Sequence, residues 1–522
     1  MPPPGGIGAN RDQGKENRFH GGFIPYDAER DLTITTKGRH KKVRNGRNHP
    51  FACLISAIGQ LPSEDGCLHN RCHICLLGRK FRKDTVLIPK CGHSWVACPS
   101  TDHERSRRTS ATVRPTSDRS RRITTVRRST DDLPEYRSRV RGCLLGGALG
   151  DALGAPVEFE PIRRIRKQYG LAGLTGLVAD WRGEVGLITD DTQMTLFTVE
   201  GLIRAGRITV DGPAHEGETV AEEPTLTEET AAVRRAYLRW LDTQQHSAPL
   251  PVSSTSSAPS VNEMVRTGRL REQKWLYSKR APGNACLSGL RHQPESAPVS
   301  PGLPGPVNPD SKGCGTVMRS APFGLRARSA RHAFDLAVEC AQITHGHPTG
   351  YLAAGAFAAL VHFLMEDEVR RGAEPLAQAV RKAMDLLATY PSHEETTQAL
   401  HAAVSLSATG DPSPEKVGSL GEAWVAEEAL AIAVYCALVH PEPGDFQRAL
   451  LLSVNHSGDS DSTGAVCGNL LGALHGETAL PAEWLAHLEG RDAIVELADD
   501  FAAQSVDGHE VTEAWLRKYP GA

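Results

Sequence analysis

Aromatic residues are scarce, 5% of 522 residues, while glycine (50) and proline (34) are plentiful. That composition argues against an aromatic-rich β-sandwich and for loops, tight turns and close helix contacts. Strand-like alternation of apolar and polar residues is almost absent. The opening, MPPPGGIGANRDQGKENRF, has no apolar core of a secretory signal, so the expected setting is a reducing cytoplasm. The longest apolar run, Tyr351 to Met365, contains a histidine and is short for a bilayer span, so no membrane association is expected.

The small net charge of −3 conceals two unlike parts. Residues 1–130 carry 25 Lys+Arg against 11 Asp+Glu, and residues 131–522 carry 34 against 51, so a basic extension precedes an acidic body. Six of the 12 cysteines fall between Cys53 and Cys98, and the other six are scattered through the acidic part, where reduced core thiols are expected. Four segments follow: 1–50, a basic stretch without sustained periodicity, expected to be disordered; 51–100, Cys/His-rich; 101–130, an Arg/Ser/Thr-rich linker; and 131–522, the main domain. Nucleic acid is a conceivable partner only through the basic part.

From Leu133 the pattern turns helical. Apolar residues recur at helical spacing over 189–205, 229–242, 333–344, 350–366, 376–389, 395–407, 422–440 and 461–475. Two Pro/Ser-rich stretches, 247–260 and 294–309, read as loops. The fold class is therefore all-α, a compact helical bundle. Two segments stand out: Gly142, Gly146, Gly150 and Gly154 form one series spaced by four, and Gly464, Gly468, Gly472 and Gly476 another. Residues so spaced share a helix face. Each glycine costs a helix up to about 1 kcal/mol against alanine, which close backbone approach would offset. If the two helices pair antiparallel, the end leading to Glu158 lies beside the start carrying Asp459, Asp461 and Ser462; independent packing of each stripe is the alternative.

Three segments look chemical: Glu158; Thr189-Asp190-Asp191-Thr192; and Asp459-Ser460-Asp461-Ser462. One Asp would suffice to cap a helix. Adjacent Asp190 and Asp191, and Asp459 two residues from Asp461, repel one another unless a cation lies among them. Carboxylates with hydroxyls are hard oxygen donors suited to Mg²⁺, Mn²⁺ or Ca²⁺ rather than Zn²⁺. Five carboxylates are enough for two metals.

The blocks RGCLLGGALGDALGAPVEF, ITDDTQM, APGNACLSGL, GCGTVMRSAPFGL, ITHGHPTGYLAAGAFAALV and GDSDSTGAVCGNLLGA occur in this order. Together they closely resemble the ADP-ribosylglycohydrolase family, from about Tyr136 to the C-terminus. The resemblance implies an orthogonal helical bundle holding two Mg²⁺ or Mn²⁺. It also implies hydrolysis of the N- or O-glycosidic bond joining ADP-ribose to a protein side chain or small acceptor. Under it Thr189, Asp190 and Asp191 match the first metal-ligand group and Asp459, Asp461 and Ser462 the second. Glu158 matches the carboxylate beside the second metal, and Asn284, His345 and the Gly315–Arg319 turn match segments lining the ADP-ribose cleft. One departure is visible. Some arginine-acting members carry an acid just before the glycine of the Gly-Asn block, whereas this chain reads Arg280-Ala281-Pro282-Gly283-Asn284, which puts arginine specificity in doubt.

Such a bond breaks through an oxocarbenium-like centre, and the attacking water needs a carboxylate to take its proton; Asp191 and Glu158 are the candidates. The Gly313-Cys314-Gly315 turn can offer backbone N–H groups to a diphosphate. In the N-terminal part, Cys72, Cys75, Cys91, His93 and Cys98 have spacing suited to one structural Zn²⁺, although a complete RING would need further ligands. Two other functions compete with hydrolysis: a non-catalytic module that only holds ADP-ribose or a nucleotide, and a zinc-dependent nucleic-acid adaptor acting through the N-terminal region.

Overall fold

The computed structural model describes residues 32–36, 39–43, 132–180, 182–208, 226–250, 266–291, 297–505 and 509–521. The chain divides into two units, 1–115 and 116–522. In the first, strands β1 (Leu32–Thr36) and β2 (Arg39–Val43) pair antiparallel with Leu32 opposite Val43. LTITT carries β-branched residues, the side chains that favour a pleated ribbon. The zinc candidates Cys72, Cys75, Cys91, His93 and Cys98 and the 101–130 linker lie outside the described residues.

The second unit is all-α. Its axis is a pair of long helices, α1 (Leu133–Gly154) and a C-terminal partner, Ser460–His475, whose residues are buried almost without interruption. They run antiparallel in glycine register. A Cβ added at Gly142, Gly146, Gly150 or Gly154 would fall within 3 Å of the backbone of Gly472, Gly468, Gly464 or Ser460 respectively. Real Cβ atoms do not sit so close, so the backbones touch where side chains would otherwise stand. Asn469 locks the register by donating from Nδ2 to the Cys143 carbonyl at 2.8 Å.

Around this pair lie α2 (Asp190–Ile208), α3 (Leu226–Gln245), α4 (Asn284–Arg291), α5 (Ala330–Gln342), α6 (Pro348–Met365), α7 (Pro375–Leu387), α8 (Glu394–Ser407), α9 (Ala426–Val439) and α10 (Phe446–Val454). The glycine-rich partner Ser460–His475 is α11, and α12 (Arg491–Gln504) closes against α1. Arg141 clamps that last contact with two bonds to Asp499, 2.6 and 2.7 Å. Helix α6 is long and apolar enough to cross a membrane by length and composition, three residues longer than the run read from the sequence. Yet 94% of it is buried within the bundle, against α5, α7 and α9. A helix apolar all round is one enclosed on every side.

The predicted helices agree closely with those observed. The exception is 422–440, which starts only at Ala426. Gly421 and Ala423 have φ of 129° and 65°, conformations that cannot enter an α-helix, and they hold 421–425 as a loop. The described part of 294–309 is likewise turns and loop.

The close helix pair makes a direct prediction. Gly150→Ala gains helix propensity but drives a methyl into the Gly464 carbonyl, and should lower unfolding free energy by about 2 kcal/mol net. Gly444→Ala, with nothing within 4 Å of the new methyl, should change it by less than about 0.5 kcal/mol. Thermal melts of the two variants check this.

Candidate functional site

Antiparallel pairing sets the exit of α1 beside the start of α11. Just past Gly154, the Glu158 N–H donates to the Gly154 carbonyl at 3.0 Å and turns the chain. The carboxylates of Glu158, Asp459 and Asp461 then converge, with one oxygen of each within 4.8 Å of the others. Asp459 caps α11, accepting the Ser462 N–H at 3.3 Å, and Asp461 accepts the same N–H at 2.9 Å. Ser462 is buried beside them.

The Thr189–Thr192 segment joins the group at the start of α2, with Thr189, Asp190 and Asp191 all buried. Asp190 accepts the Gly283 N–H at 3.2 Å, and the Thr189 hydroxyl accepts the Asp191 N–H at 3.3 Å. Burial and the neighbouring carboxylates, Asp461 foremost, push Asp190 and Asp191 well above the usual carboxylate range. Glu158 and Asp459 are raised for the same reasons. The Oδ1 of Asp191 is buried with no hydrogen-bond partner. Mutually repelling carboxylates around an orphaned buried oxygen are the donor chemistry that a hard divalent cation satisfies. Glu158, Thr189, Asp190, Asp191, Asp459, Asp461 and Ser462 are the residues that could hold it.

One residue of this neighbourhood escaped the sequence reading. Asp151 lies on α1 between Gly150 and Gly154 and is wholly buried. Its carboxylate accepts the N–H groups of Thr189 (3.0 Å) and Thr192 (3.1 Å) and the Thr192 hydroxyl (2.5 Å). It therefore caps α2 from another helix, the arrangement that satisfies first-turn donors. Burial, with Asp461 nearby, raises its pKa to about 7. Its signal in the sequence was an acid on a stripe otherwise made of small and apolar residues.

The cleft candidates separate. His345 is buried, its Nδ1 2.8 Å from the Thr344 hydroxyl, and its ring packs against the Gly313–Gly315 turn. Burial and then the Arg319 cation hold its pKa down at about 3, so the imidazole is neutral. Gly315 is buried where a Cβ would meet the Cys286 sulfur at 2.8 Å. Asn284 is exposed at the start of α4, one residue from the Gly283–Asp190 bond. The Cys314 N–H is already spent on the Trp424 carbonyl at 3.3 Å, so it is not one of the donors the turn offers. The Cys314 thiol instead donates to Asp459 Oδ2 at 2.7 Å. At the position where the departure was noted, Arg280 binds Glu489 at 2.6 Å and the Ile188 carbonyl at 2.5 Å.

The family model described as ADP-ribosylglycohydrolase matches residues 132–510. An ADP-ribosyl-[dinitrogen reductase] glycohydrolase of Rhodospirillum rubrum is 27% identical over 361 residues, 68% of this chain and 92% of that protein. ADP-ribosylhydrolase ARH3 of Danio rerio is 25% identical over 391 residues, covering 71% and 90%. An ADP-ribosylarginine hydrolase Tri1 of Serratia proteamaculans is 23% identical over 370 residues, covering 70% and 80%.

Two measurements test the geometry. Asp151→Ala strands buried N–H groups and should cost about 3 kcal/mol of stability, with weaker Mn²⁺ binding by calorimetry. His345 favours folding only while neutral. Its contribution is complete above pH 6.5 and lost as pH falls toward 3, so about 2 kcal/mol should disappear between pH 6.5 and 5. Urea unfolding of His345→Gln should show an acid limb shallower by that amount.

Proposed function

The chain belongs to the ADP-ribosylglycohydrolase family, and from that premise we propose that it is a metal-dependent hydrolase. It cleaves the glycosidic bond between ADP-ribose and a modified protein side chain or small acceptor, reversing a transferase. The observation that carries this reading is the convergence of Glu158, Asp459 and Asp461, from chain segments some three hundred residues apart, beside buried Asp190 and Asp191. A protein that merely packs has no use for so many buried carboxylates, since each costs desolvation and repels the rest.

Thr189, Asp190, Asp191, Asp459, Asp461 and Ser462 would hold two Mg²⁺ or Mn²⁺, with Glu158 beside them. When bound, such ions supply positive charge and Lewis acidity to this oxygen set. The chain's own residues do the rest. Water adds its oxygen to the anomeric carbon as the bond to the acceptor breaks, and one of its protons ends on the acceptor atom. Of the two candidate bases, Glu158 is half-buried at the mouth and can exchange its proton with solvent, whereas Asp191 is enclosed. Glu158 is therefore the better proton acceptor, and Asp191 serves as ligand. Neutral His345, backed by Arg319, stiffens the glycine turn at the cleft wall. Asn284 and Gly315 line the same wall. The six described cysteines are all free, which accords with a reducing, cytoplasmic setting.

The full chain is to be assayed for ADP-ribose release from arginine-, serine- and O-acetyl-linked substrates with Mg²⁺, with Mn²⁺ and with EDTA. Release is expected with metal, with at least a hundredfold loss in EDTA and in an Asp459→Ala/Asp461→Ala variant. ADP-ribose binding without release from any substrate would refute hydrolysis and leave a binding module.

A further inference from the structure

One positive charge is enclosed in the wall behind the Gly313–Gly315 turn. Arg319 is only 1% exposed, and among the described residues no carboxylate pairs with its guanidinium. Its partners are neutral. Nη2 donates to the Thr344 hydroxyl at 2.6 Å and Nη1 to the Cys286 sulfur at 3.3 Å, and the group lies 4.5 Å from the centroid of the Tyr237 ring. Enclosing a cation without a counter-charge is unfavourable, and an apolar side chain would fill the same space without that penalty. What an apolar side chain could not do is donate hydrogen bonds.

The donation runs on to His345. Guanidinium has no acceptor atom, so the Thr344 oxygen accepts the Arg319 N–H and its own proton is directed elsewhere. Two acceptors stand near that hydroxyl. The Ala341 carbonyl is 3.4 Å away and already receives the N–H groups of Thr344 (3.1 Å) and His345 (3.0 Å), whereas His345 Nδ1 is 2.8 Å away. The hydroxyl proton therefore goes to Nδ1, and the charge-assisted bond from Arg319 strengthens that donation. A neutral imidazole carries a single N–H, so with Nδ1 accepting, the proton sits on Nε2. Nε2 in turn faces the glycine turn. A Cβ on Gly313 would stand 3.3 Å from it and one on Gly315 3.5 Å, so the two missing side chains keep the space beside it clear. It has no protein partner among the described residues and is not sealed from solvent.

We propose that Arg319 is a positioning residue: through the Thr344 hydroxyl it holds His345 as the Nε2–H tautomer, and the ring then presents that N–H to a phosphate oxygen of the substrate. This rests on the reading of the substrate as an ADP-ribose conjugate, whose diphosphate is its anionic part. A ring free to exchange tautomers would turn a lone pair on the same oxygen for part of the time, and a lone pair repels it. The fixed donor is backed by a buried cation two hydrogen bonds away, which favours an anionic acceptor over a neutral one. The other arm of the guanidinium steadies the same wall, since the Cys286 sulfur lies 4.0 Å from the Gly315 carbonyl.

The full chain with Mg²⁺, isotope-labelled at its histidine nitrogens, tests this by long-range nitrogen–proton correlation NMR, the His345 signals being those missing from His345→Gln. The wild type should show a protonated Nε2 and a bare Nδ1. Thr344→Val, which keeps the volume and removes the hydroxyl, should lose that pattern. Arg319→Met should lose it too, and Arg319→Lys, another pure donor, should retain it. By calorimetry Thr344→Val should bind ADP-ribose about tenfold more weakly and adenosine as before, a split that general loosening of the cleft would not produce. Melting temperatures report folding separately, and Thr344→Val decides the matter should Arg319→Met fail to fold. A protonated Nδ1 in the wild type, an unaltered pattern in Thr344→Val, or equal losses for ADP-ribose and adenosine overturns the assignment. A wild type that binds ADP-ribose with the expected pattern but hydrolyses no conjugate overturns the hydrolase reading alone, and one that does not bind ADP-ribose overturns both.

Discussion

Backbone-to-backbone contact between α1 and α11 is the constraint on which the rest of the bundle depends. Four levels of glycine stack along the pair, and at each level a side-chain carbon would collide with a carbonyl or amide of the partner. The seven helical glycines forgo up to about 7 kcal/mol of helix propensity relative to alanine, while Gly476 caps α11 with φ of 77°. Offsetting that loss requires dense van der Waals contact along the whole seam, and the near-complete burial of both helices provides it. Because the register is locked along the seam, the two chain ends it juxtaposes are fixed relative to each other. The Glu158 turn and the α11 N-terminus meet because the glycines above them mesh.

That placement determines the electrostatics. Helix N-termini welcome carboxylates through unsatisfied N–H groups, and both α2 and α11 begin with acids. A single helix start would hold one or two of them comfortably. Bringing two helix starts and the Glu158 turn together produces a buried anionic cluster that capping cannot balance, as the raised pKa values of Glu158, Asp190, Asp191 and Asp459 record. Asp151 is different in kind. Its carboxylate is fully engaged by Thr189 and Thr192, so it acts as a strut that aims the Thr189–Asp191 turn rather than as a free ligand.

The helices, the two glycine stripes and the acidic clusters were legible in the sequence because each is a local or periodic signal; the pairing of the stripes with each other was one of two readings, and the structure decides it. Spacing by four survives without knowledge of the partner, and neighbouring Asp residues announce their own repulsion. Asp151 showed only as an acid among small and apolar residues, and what it does was not legible: its partners lie in the Thr189–Thr192 turn some 38 residues away, and no local pattern marks such a bond. The early start assigned to the 422–440 helix failed for a related reason. From Glu422 to Leu430 the segment EAWVAEEAL is mostly Ala, Glu and Leu, good helix formers. What stops the helix is the pair of N–H bonds from Glu422 and Ala423 to Glu428, together with the Asp459 bond to the Glu422 carbonyl. Tertiary hydrogen bonds there outweigh propensity. The ribbon Leu32–Thr36/Arg39–Val43 was overlooked because its composition is set in a basic, glycine-rich stretch.

The loop that replaces the first turn of α9 also joins the deeper and outer parts of the site. One short segment, 421–425, carries a carbonyl for the Asp459 N–H, a carbonyl for the Cys314 N–H and the exposed Trp424 ring. Moving Trp424 would therefore disturb Cys314, and through its thiol Asp459. On the other wall, Phe159 and Glu158 are adjacent, so the exposed ring and the carboxylate of the acidic cluster share backbone. Rim and reactive centre thus share backbone on both sides. The Phe159–Trp424 contact therefore couples the Glu158 turn to the loop that holds Asp459 through side chains, as the glycine seam couples the same two regions through backbone.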